Sequence, residues 1–221
     1  MPGGPRLLVF AKAPRPGRVK TRLAGVLGPE GAARLHAALV ERTLRLATAL
    51  PWPVELWCHP DASHPLFARW AARGVPLRVQ EGAGLGERMA AALEQALARG
   101  GPALLLGCDC PGLQEEDLRQ ALRCLEEREA VLGPAEDGGY WLIGLRAMDR
   151  RLFQGLAWGG PRVLAATLAR LASLGWRCAL LPPRPDLDRP ADLDAFLARP
   201  PAWLPPDLAR ELRARRAKAP G

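Results

Sequence analysis

The residues of this 221-residue chain best suited to chemistry stand in short clusters, each just after an apolar run. The first is Lys12-Ala13-Pro14-Arg15-Pro16-Gly17-Arg18-Val19-Lys20-Thr21-Arg22, with five cations beside two prolines and a glycine. Arginine offers forked donors to phosphate oxygens and lysine a mobile point charge, and Pro16 with Gly17 lets backbone amides be presented rigidly. A triphosphate or diphosphate is the natural partner. The position directly after a strand favours this reading over a merely solvated basic loop. The loop matches neither common phosphate motif: Val19 precedes Lys20 where a Walker loop needs glycine, and no glycine spacing fits the dinucleotide fingerprint.

Four further clusters follow. Gln80-Glu81-Gly82-Ala83-Gly84-Leu85-Gly86-Glu87-Arg88 opens a helix, and its glycines would let a nucleobase or ribose approach the backbone, although a plain loop with a helix cap reads nearly as well. Gly107-Cys108-Asp109-Cys110-Pro111-Gly112 places one carboxylate at a strand end, enough for a hard cation that completes its shell with phosphate oxygens and water. Gly133-Pro134-Ala135-Glu136-Asp137-Gly138-Gly139-Tyr140-Trp141 reads as an acceptor site in which Asp137 meets hydroxyls or a metal; a hairpin turn is the competing reading. In Asp186-Leu187-Asp188-Arg189-Pro190, Asp188 either caps the next helix or supplies a second metal carboxylate. Trp158, before Gly159-Gly160-Pro161-Arg162, belongs with the acceptor site, and that segment either binds an anion or only caps a helix.

These loops need a scaffold, and the intervening pattern supplies one. Short Val- and Leu-rich runs at 6–11, 54–58, 77–80, 103–107, 130–133, 140–145 and 177–181 alternate with helical periodicity at 29–50, 64–73, 86–99, 115–127, 161–174 and 190–197. This is the signature of an α/β fold: a single domain with a mainly parallel sheet flanked by helices, whose ligands sit at the carboxyl ends of the strands. The domain is expected over 1–199, followed by a basic, Pro-rich tail over 200–221 that is either a surface helix at 206–218 or partly disordered.

Composition narrows the class. Hydrophobic residues are 48% and charged residues 24%, ordinary globular usage. No apolar run approaches the roughly 20 residues that span a bilayer and no signal peptide is evident, so a soluble cytoplasmic protein with no membrane partner is expected. The five cysteines (Cys58, Cys108, Cys110, Cys124, Cys178) lack zinc-type pairing and read as buried free thiols. The formal charge of +8 suits nucleotides, nucleic acids and acidic metabolites alike, but nucleic acid is not expected, because the seven tryptophans are scattered rather than interleaved with Lys and Arg. His36, His59 and His64 share no metal spacing and receive no role.

Taken in order, Phe10-Ala11-Lys12-Ala13-Pro14, Lys20-Thr21-Arg22-Leu23, Leu85-Gly86-Glu87-Arg88-Met89, Gly107-Cys108-Asp109-Cys110-Pro111, Gly133 through Trp141 and Asp186-Leu187-Asp188-Arg189-Pro190 resemble a bacterial family of uncharacterised function (DUF2064-like). That family is often labelled a glycosyltransferase, within the nucleotide-diphospho-sugar transferase (GT-A type) fold, and the likeness runs from about Arg6 to Leu197. More distantly the chain is similar to phospholactate and molybdenum-cofactor guanylyltransferases. The resemblance implies that Lys20 and Arg22 hold phosphates, Asp109 the metal, Asp188 a second metal contact, and Asp137 to Gly139 the acceptor. Arg189 stands where Thr is usual before Pro190, and Tyr140 follows the glycines where the guanylyltransferases tend to have Thr-Asn, so acceptor identity does not carry over.

The expectation is therefore a transferase using Mg²⁺ or Mn²⁺. Lys20, Arg22 and Asp137 are its catalytic residues, and Lys12, Pro16, Gly17, Lys20, Arg22, Gln80, Gly84 and Arg88 bind the nucleotide. Asp137, Gly138, Gly139 and Trp158 bind a small-molecule acceptor, and Asp109 and Asp188 bind the metal. Attack of an acceptor phosphate on a nucleoside triphosphate, releasing pyrophosphate, is favoured by the cation count and by Cys110 at the place where glycosyltransferases of this fold carry the second Asp of an Asp-x-Asp motif. Glycosyl transfer from a nucleotide sugar, and non-catalytic nucleotide or nucleic-acid binding, are the alternatives.

Overall fold

The computed structural model describes residues 3–219. Seven strands form one sheet: β1 (Arg6–Lys12), β2 (Val54–His59), β3 (Leu77–Val79), β4 (Ala103–Leu106), β5 (Ala130–Pro134), β6 (Tyr140–Leu145) and β7 (Cys178–Leu180). Their spatial order is β3-β2-β1-β4-β6-β5-β7. Only β6 runs against the others, pairing antiparallel with both β4 and β5, and its hairpin with β5 closes over 135–139. The chain leaves β1 toward β2 and β3, then returns to place β4 on β1's other side. A crevice opens where that order reverses, at the carboxyl ends of β1 and β4.

The strands are apolar throughout because both faces of the sheet are covered. Leu7, Val9 and Ala11 of β1 pack into one core with helices α1 (Ala24–Thr48), α2 (Pro65–Ala71) and α4 (Glu115–Glu127). Their alternating neighbours Leu8 and Phe10 pack on the other side with α3 (Leu85–Leu97) and α5 (Val163–Ser173). The expected stripe Leu35, Leu39, Thr43, Leu46 and Leu50 is buried in full. Helix α1 carries one extra turn before the expected start: Gly28, at φ 70°, kinks the chain, and Pro29 then opens the longer segment.

The segment expected as a basic tail packs into the body. Helices α6 (Pro190–Ala198) and α7 (Pro206–Lys218) form a third cluster with the start of α1, burying Leu193, Leu197, Leu204, Leu208 and Leu212. Each buried leucine contributes on the order of 1.5–3 kcal/mol. The arginines of α7 remain on its rim, where Arg216 pairs with Asp194 and Arg215 with Glu211. No helix among the described residues is long and apolar enough to cross a membrane. The cysteines are free thiols; Cys58, Cys108 and Cys110 are buried, and Cys124 and Cys178 half-buried.

Candidate active site

A cleft of about 580 Å³ opens at the β1/β4 reversal, walled by the loops after both strands, the start of β6, the first turn of α3 and the segment before α6. Its floor is organised by one backbone bond: Leu187 N–H donates to the carbonyl of Asp109 at 2.9 Å, drawing the loop before α6 onto the end of β4. Asp109 and Asp188 are thereby brought together around one ammonium. Lys20 Nζ lies 2.5 Å from Asp109 Oδ1 and 2.7 Å from Asp188 Oδ1, and donates to the Leu187 carbonyl at 2.7 Å.

This geometry gives Lys20 a setting other than the open phosphate contact expected of it. Its side chain is only 3% exposed and its ammonium stands among three protein oxygens, so it clamps carboxylates at the edge of the cleft. The Lys20 backbone lies in the left-handed region, at φ 47°, which costs a non-glycine residue about 1 kcal/mol. Burial alone would lower the Lys20 pKa, but Asp109 and Asp188 outweigh it and raise it. Burial likewise works to raise Asp109, and Lys20, His36 and Lys12 override it, keeping the carboxyl below its ordinary range.

Neither carboxylate serves as a helix cap. Asp192 accepts from the N–H groups of Asp188 and Arg189 at the start of α6, and Asp117 accepts from Gln114 N at the start of α4. Asp109 and Asp188 are therefore free for the cleft. Asp109 is divided: Oδ1 is buried against the Lys20 ammonium, while the side chain as a whole is 47% exposed to the cleft. Asp186, to which the sequence reading gave no role, completes an acidic wall; burial first, then Asp137, Asp109 and Asp188, push its carboxyl up to about 7. His36 was also passed over. It lies buried on α1 with Nε2 donating to the Lys12 carbonyl at 3.1 Å, and burial and Lys20 lower its pKa against the pull of Asp109. Its place beside Leu35 in the buried stripe of α1 was the available signal.

The basic loop divides in two. Lys12, Arg18 and Arg22 are exposed on the cleft wall and make no ion pair among the described residues. Arg15 turns away to Asp61 at 2.9 Å. Pro16 and Gly17, expected to touch the nucleotide, instead form the outward tip: Arg18 N–H closes a turn on the Arg15 carbonyl at 3.0 Å, and Gly17 supplies the positive φ of 74° that this turn needs. Gln80 and Arg88 line the cleft, whereas Gly84 stands outside that wall as the N-cap of α3.

On the far side the hairpin reading is the correct description of residues 135–139, and the hairpin also serves the cleft. Asp137 Oδ1 accepts from Gly139 N at 2.8 Å, and Asp137 and Gly139 face the cavity. Gly138 faces away, corrected from an acceptor contact to a packing residue: its carbonyl accepts from Leu164 N of α5 at 2.9 Å, and a Cβ there would lie 2.0 Å from the Pro161 carbonyl. That bond engages one of the amides at the start of α5 that would otherwise serve an anion. Trp158 stands in the wall between Phe153, stacked at 6.3 Å, and the edge of Tyr140, also at 6.3 Å. It fits closely because Gly86 has no side chain; a Cβ would lie 2.4 Å from its Nε1.

No three metal-ligating side chains among the described residues form a ready-made cage. The donors nonetheless suit a hard cation: the carboxylates are all-oxygen, Asp109 is 47% exposed to the cleft, and the crowding that lifts Asp186 is what a cation would relieve. Cys110 is buried, with its thiol pushed up to about 12 by burial and Asp186, so it offers no ligand.

Residues 43–160 match the model of a family described as an uncharacterized protein conserved in bacteria, DUF2064. Among solved structures, a Desulfovibrio desulfuricans G20 protein provisionally named as a nucleotide-diphospho-sugar transferase is 30% identical, over 96% of this chain and 95% of that one, with a TM-score of 0.85. The inositol-1-phosphate CTP transferase of T. maritima is 13% identical over the whole of both chains, with a TM-score of 0.55. The CMP:2-keto-3-deoxy-manno-octonic acid synthetase complexed with CTP is 13% identical over 89% of this chain and 99% of that one, with a TM-score of 0.52. The fold is thus that of the nucleotide-diphospho-sugar transferases. No curated protein matches the chain in sequence.

Proposed function

The chain belongs to the DUF2064 family and is a transferase of the nucleotide-diphospho-sugar transferase fold, and from that premise we propose that it transfers a nucleotidyl group from a nucleoside triphosphate to a phosphorylated small-molecule acceptor. One observation carries the reading: Lys12, Arg18 and Arg22, which make no ion pair among the described residues, line the same cleft as the Asp109–Asp188 pair at the sheet's reversal. Cations and carboxylates lining one cleft suit a polyphosphate bound with a divalent metal, and three such cations match a triphosphate better than the smaller charge of a nucleotide sugar.

Asp109 and Asp188 would hold Mg²⁺ or Mn²⁺, which when bound supplies charge neutralisation of the phosphates. Lys12, Arg18 and Arg22 orient the β- and γ-phosphates and stabilise charge gathering on the leaving pyrophosphate. Lys20 favours the ionised form of Asp109 and aims both carboxylates. Asp137 and Trp158 position the acceptor, whose phosphate oxygen bonds to the α-phosphorus as the bond to the β-phosphate oxygen breaks. No side-chain nucleophile is required, because the acceptor is already ionised. Burial pushes the Cys108 thiol up to about 12, and burial with Lys20 lowers the His36 pKa against the pull of Asp109.

A second reading, glycosyl transfer, draws on the provisional name of the D. desulfuricans protein and on exposed Asp137 at the cleft, placed to act as base toward a hydroxyl. Thermal shift with nucleoside triphosphates and nucleotide sugars, each with Mg²⁺ and with chelator, separates the two. A ligand at about 100 times its Kd adds about 2.7 kcal/mol, several degrees for a chain of this size. Metal-dependent stabilisation by a triphosphate is expected; stabilisation by nucleotide sugars alone would replace nucleotidyl with glycosyl transfer.

A further inference from the structure

The carboxylates of Asp109 and Asp188 converge on one point, and the Lys20 ammonium stands at it. Its Nζ lies 2.5 Å from Asp109 Oδ1, 2.7 Å from Asp188 Oδ1 and 2.7 Å from the Leu187 carbonyl oxygen, on a buried side chain. The backbone bond from Leu187 N to the Asp109 carbonyl, at 2.9 Å, keeps the two carboxylates close. Both are partly exposed to the cleft, so a divalent cation reaches their outer oxygens but finds the point between them taken. The lysine also offsets half of the pair's charge and repels a second cation at short range. The wider lining repeats the pattern: five Lys or Arg side chains share the cleft with four carboxylates. A bare divalent cation gains little there. Its complex with a triphosphate carries net negative charge, is drawn in by the cations, and brings the oxygens that complete the metal's shell.

We propose that Lys20 sets the order of entry at this site: by holding the Asp109–Asp188 pair it weakens the binding of free divalent cation, and the cation enters as its complex with the polyphosphate. The cost of this device is low affinity for the metal alone. Its benefit is that the two carboxylates stay aimed at the cleft, ready for a metal that arrives with its phosphate oxygens already attached.

The proposal rests on the triphosphate reading of the cleft, and its test keeps the two separable. Mn²⁺ binding without nucleotide is measured by electron paramagnetic resonance of the free ion, on the wild type, Lys20→Met and Lys20→Met/Asp109→Asn. Lys20→Met should bind Mn²⁺ about tenfold or more tighter than the wild type, and adding Asp109→Asn should abolish the gain. Equal affinity in wild type and Lys20→Met, or a gain that survives Asp109→Asn, overturns the proposal and leaves the triphosphate reading intact. The wild type decides the matter even if the variants fail to fold. The Mn²⁺ concentration that half-saturates its rise in Tm should be about tenfold or more lower with a nucleoside triphosphate present than without. The same half-saturation in both conditions overturns the order of entry alone. A wild type that no triphosphate stabilises, with or without Mn²⁺, overturns the triphosphate reading and the order of entry with it.

Discussion

Lys20 Nζ stands 2.7 Å from Asp188 Oδ1, a contact between the loop after β1 and the segment before α6, held by a lysine with a left-handed backbone. A lysine placed to meet phosphate would be exposed; this one is buried between carboxylates. Lys20→Met should therefore lower stability as well as activity. Removing one partner of a buried ion pair costs about 3–5 kcal/mol, and the partial exposure of both carboxylates reduces this to about 2–3 kcal/mol, or roughly 5–10 °C in Tm. Divalent cations should recover more of that loss in the variant than they add to the wild type. A variant with unchanged Tm and lost nucleotide affinity would return Lys20 to the phosphate.

The unpaired cations make the opposite prediction. Lys12→Ala and Arg22→Ala remove no ion pair found among the described residues, so Tm in the absence of ligand should stay within about 1 °C of the wild type, while triphosphate Kd rises about tenfold for each. Arg15→Ala is the control from the same loop: it breaks the pair with Asp61 and should leave triphosphate affinity unchanged, as titration calorimetry on the three variants would show.

The contrast within this loop marks how far the sequence could be read. The strands and helices were legible because their apolar runs are continuous where both faces are buried and periodic where one is; the helix at 115–127 has the bounds its pattern predicts. The location of the site was legible from the rule that ligands gather at strand ends. Side-chain commitment was not, because Lys20 and Arg22 are alike in composition and differ only in what lies opposite them after folding. Asp188 and Asp186 depended on the Leu187–Asp109 backbone bond, a contact between distant segments that no local pattern records. The packing of α7 was hidden by its arginines, which mask the Leu208 and Leu212 stripe.

Two glycines of one motif should respond differently to alanine. A Cβ on Gly84 meets nothing within 4 Å, and Gly84→Ala should change stability by less than about 0.5 kcal/mol. A Cβ on Gly86 lies 2.4 Å from Trp158 Nε1 and 2.7 Å from the Phe153 carbonyl, so Trp158 must leave its slot. Gly86→Ala should cost about 1–3 kcal/mol, shift tryptophan emission to the red, and weaken acceptor use while triphosphate binding persists. Unchanged emission with normal turnover would remove Trp158 from the acceptor wall.

Asp186 supplies a pH signature. Burial, then the neighbouring carboxylates Asp137, Asp109 and Asp188, raise its folded pKa to about 7 from an unfolded value near 3.8. An acid that binds its proton more tightly when folded contributes stability that is fully present below the unfolded pKa and is lost as pH rises through the folded one. His36, His59 and His64, whose folded values are lowered, act with the opposite sign in the same window, so the useful quantity is a difference between proteins. Without divalent cation, the stability of Asp186→Asn relative to wild type should climb from pH 4 to pH 7 and level off above it. Its size, about 2 kcal/mol after allowance for solvent, corresponds to roughly 4–8 °C in Tm. Mg²⁺ should shrink the difference, because a cation among these carboxylates stabilises the ionised wild type and not the amide. Parallel Tm profiles for the two proteins across that window would mean that Asp186 ionises as freely as a surface carboxylate, and the acidic wall would lose its claim to hold a cation.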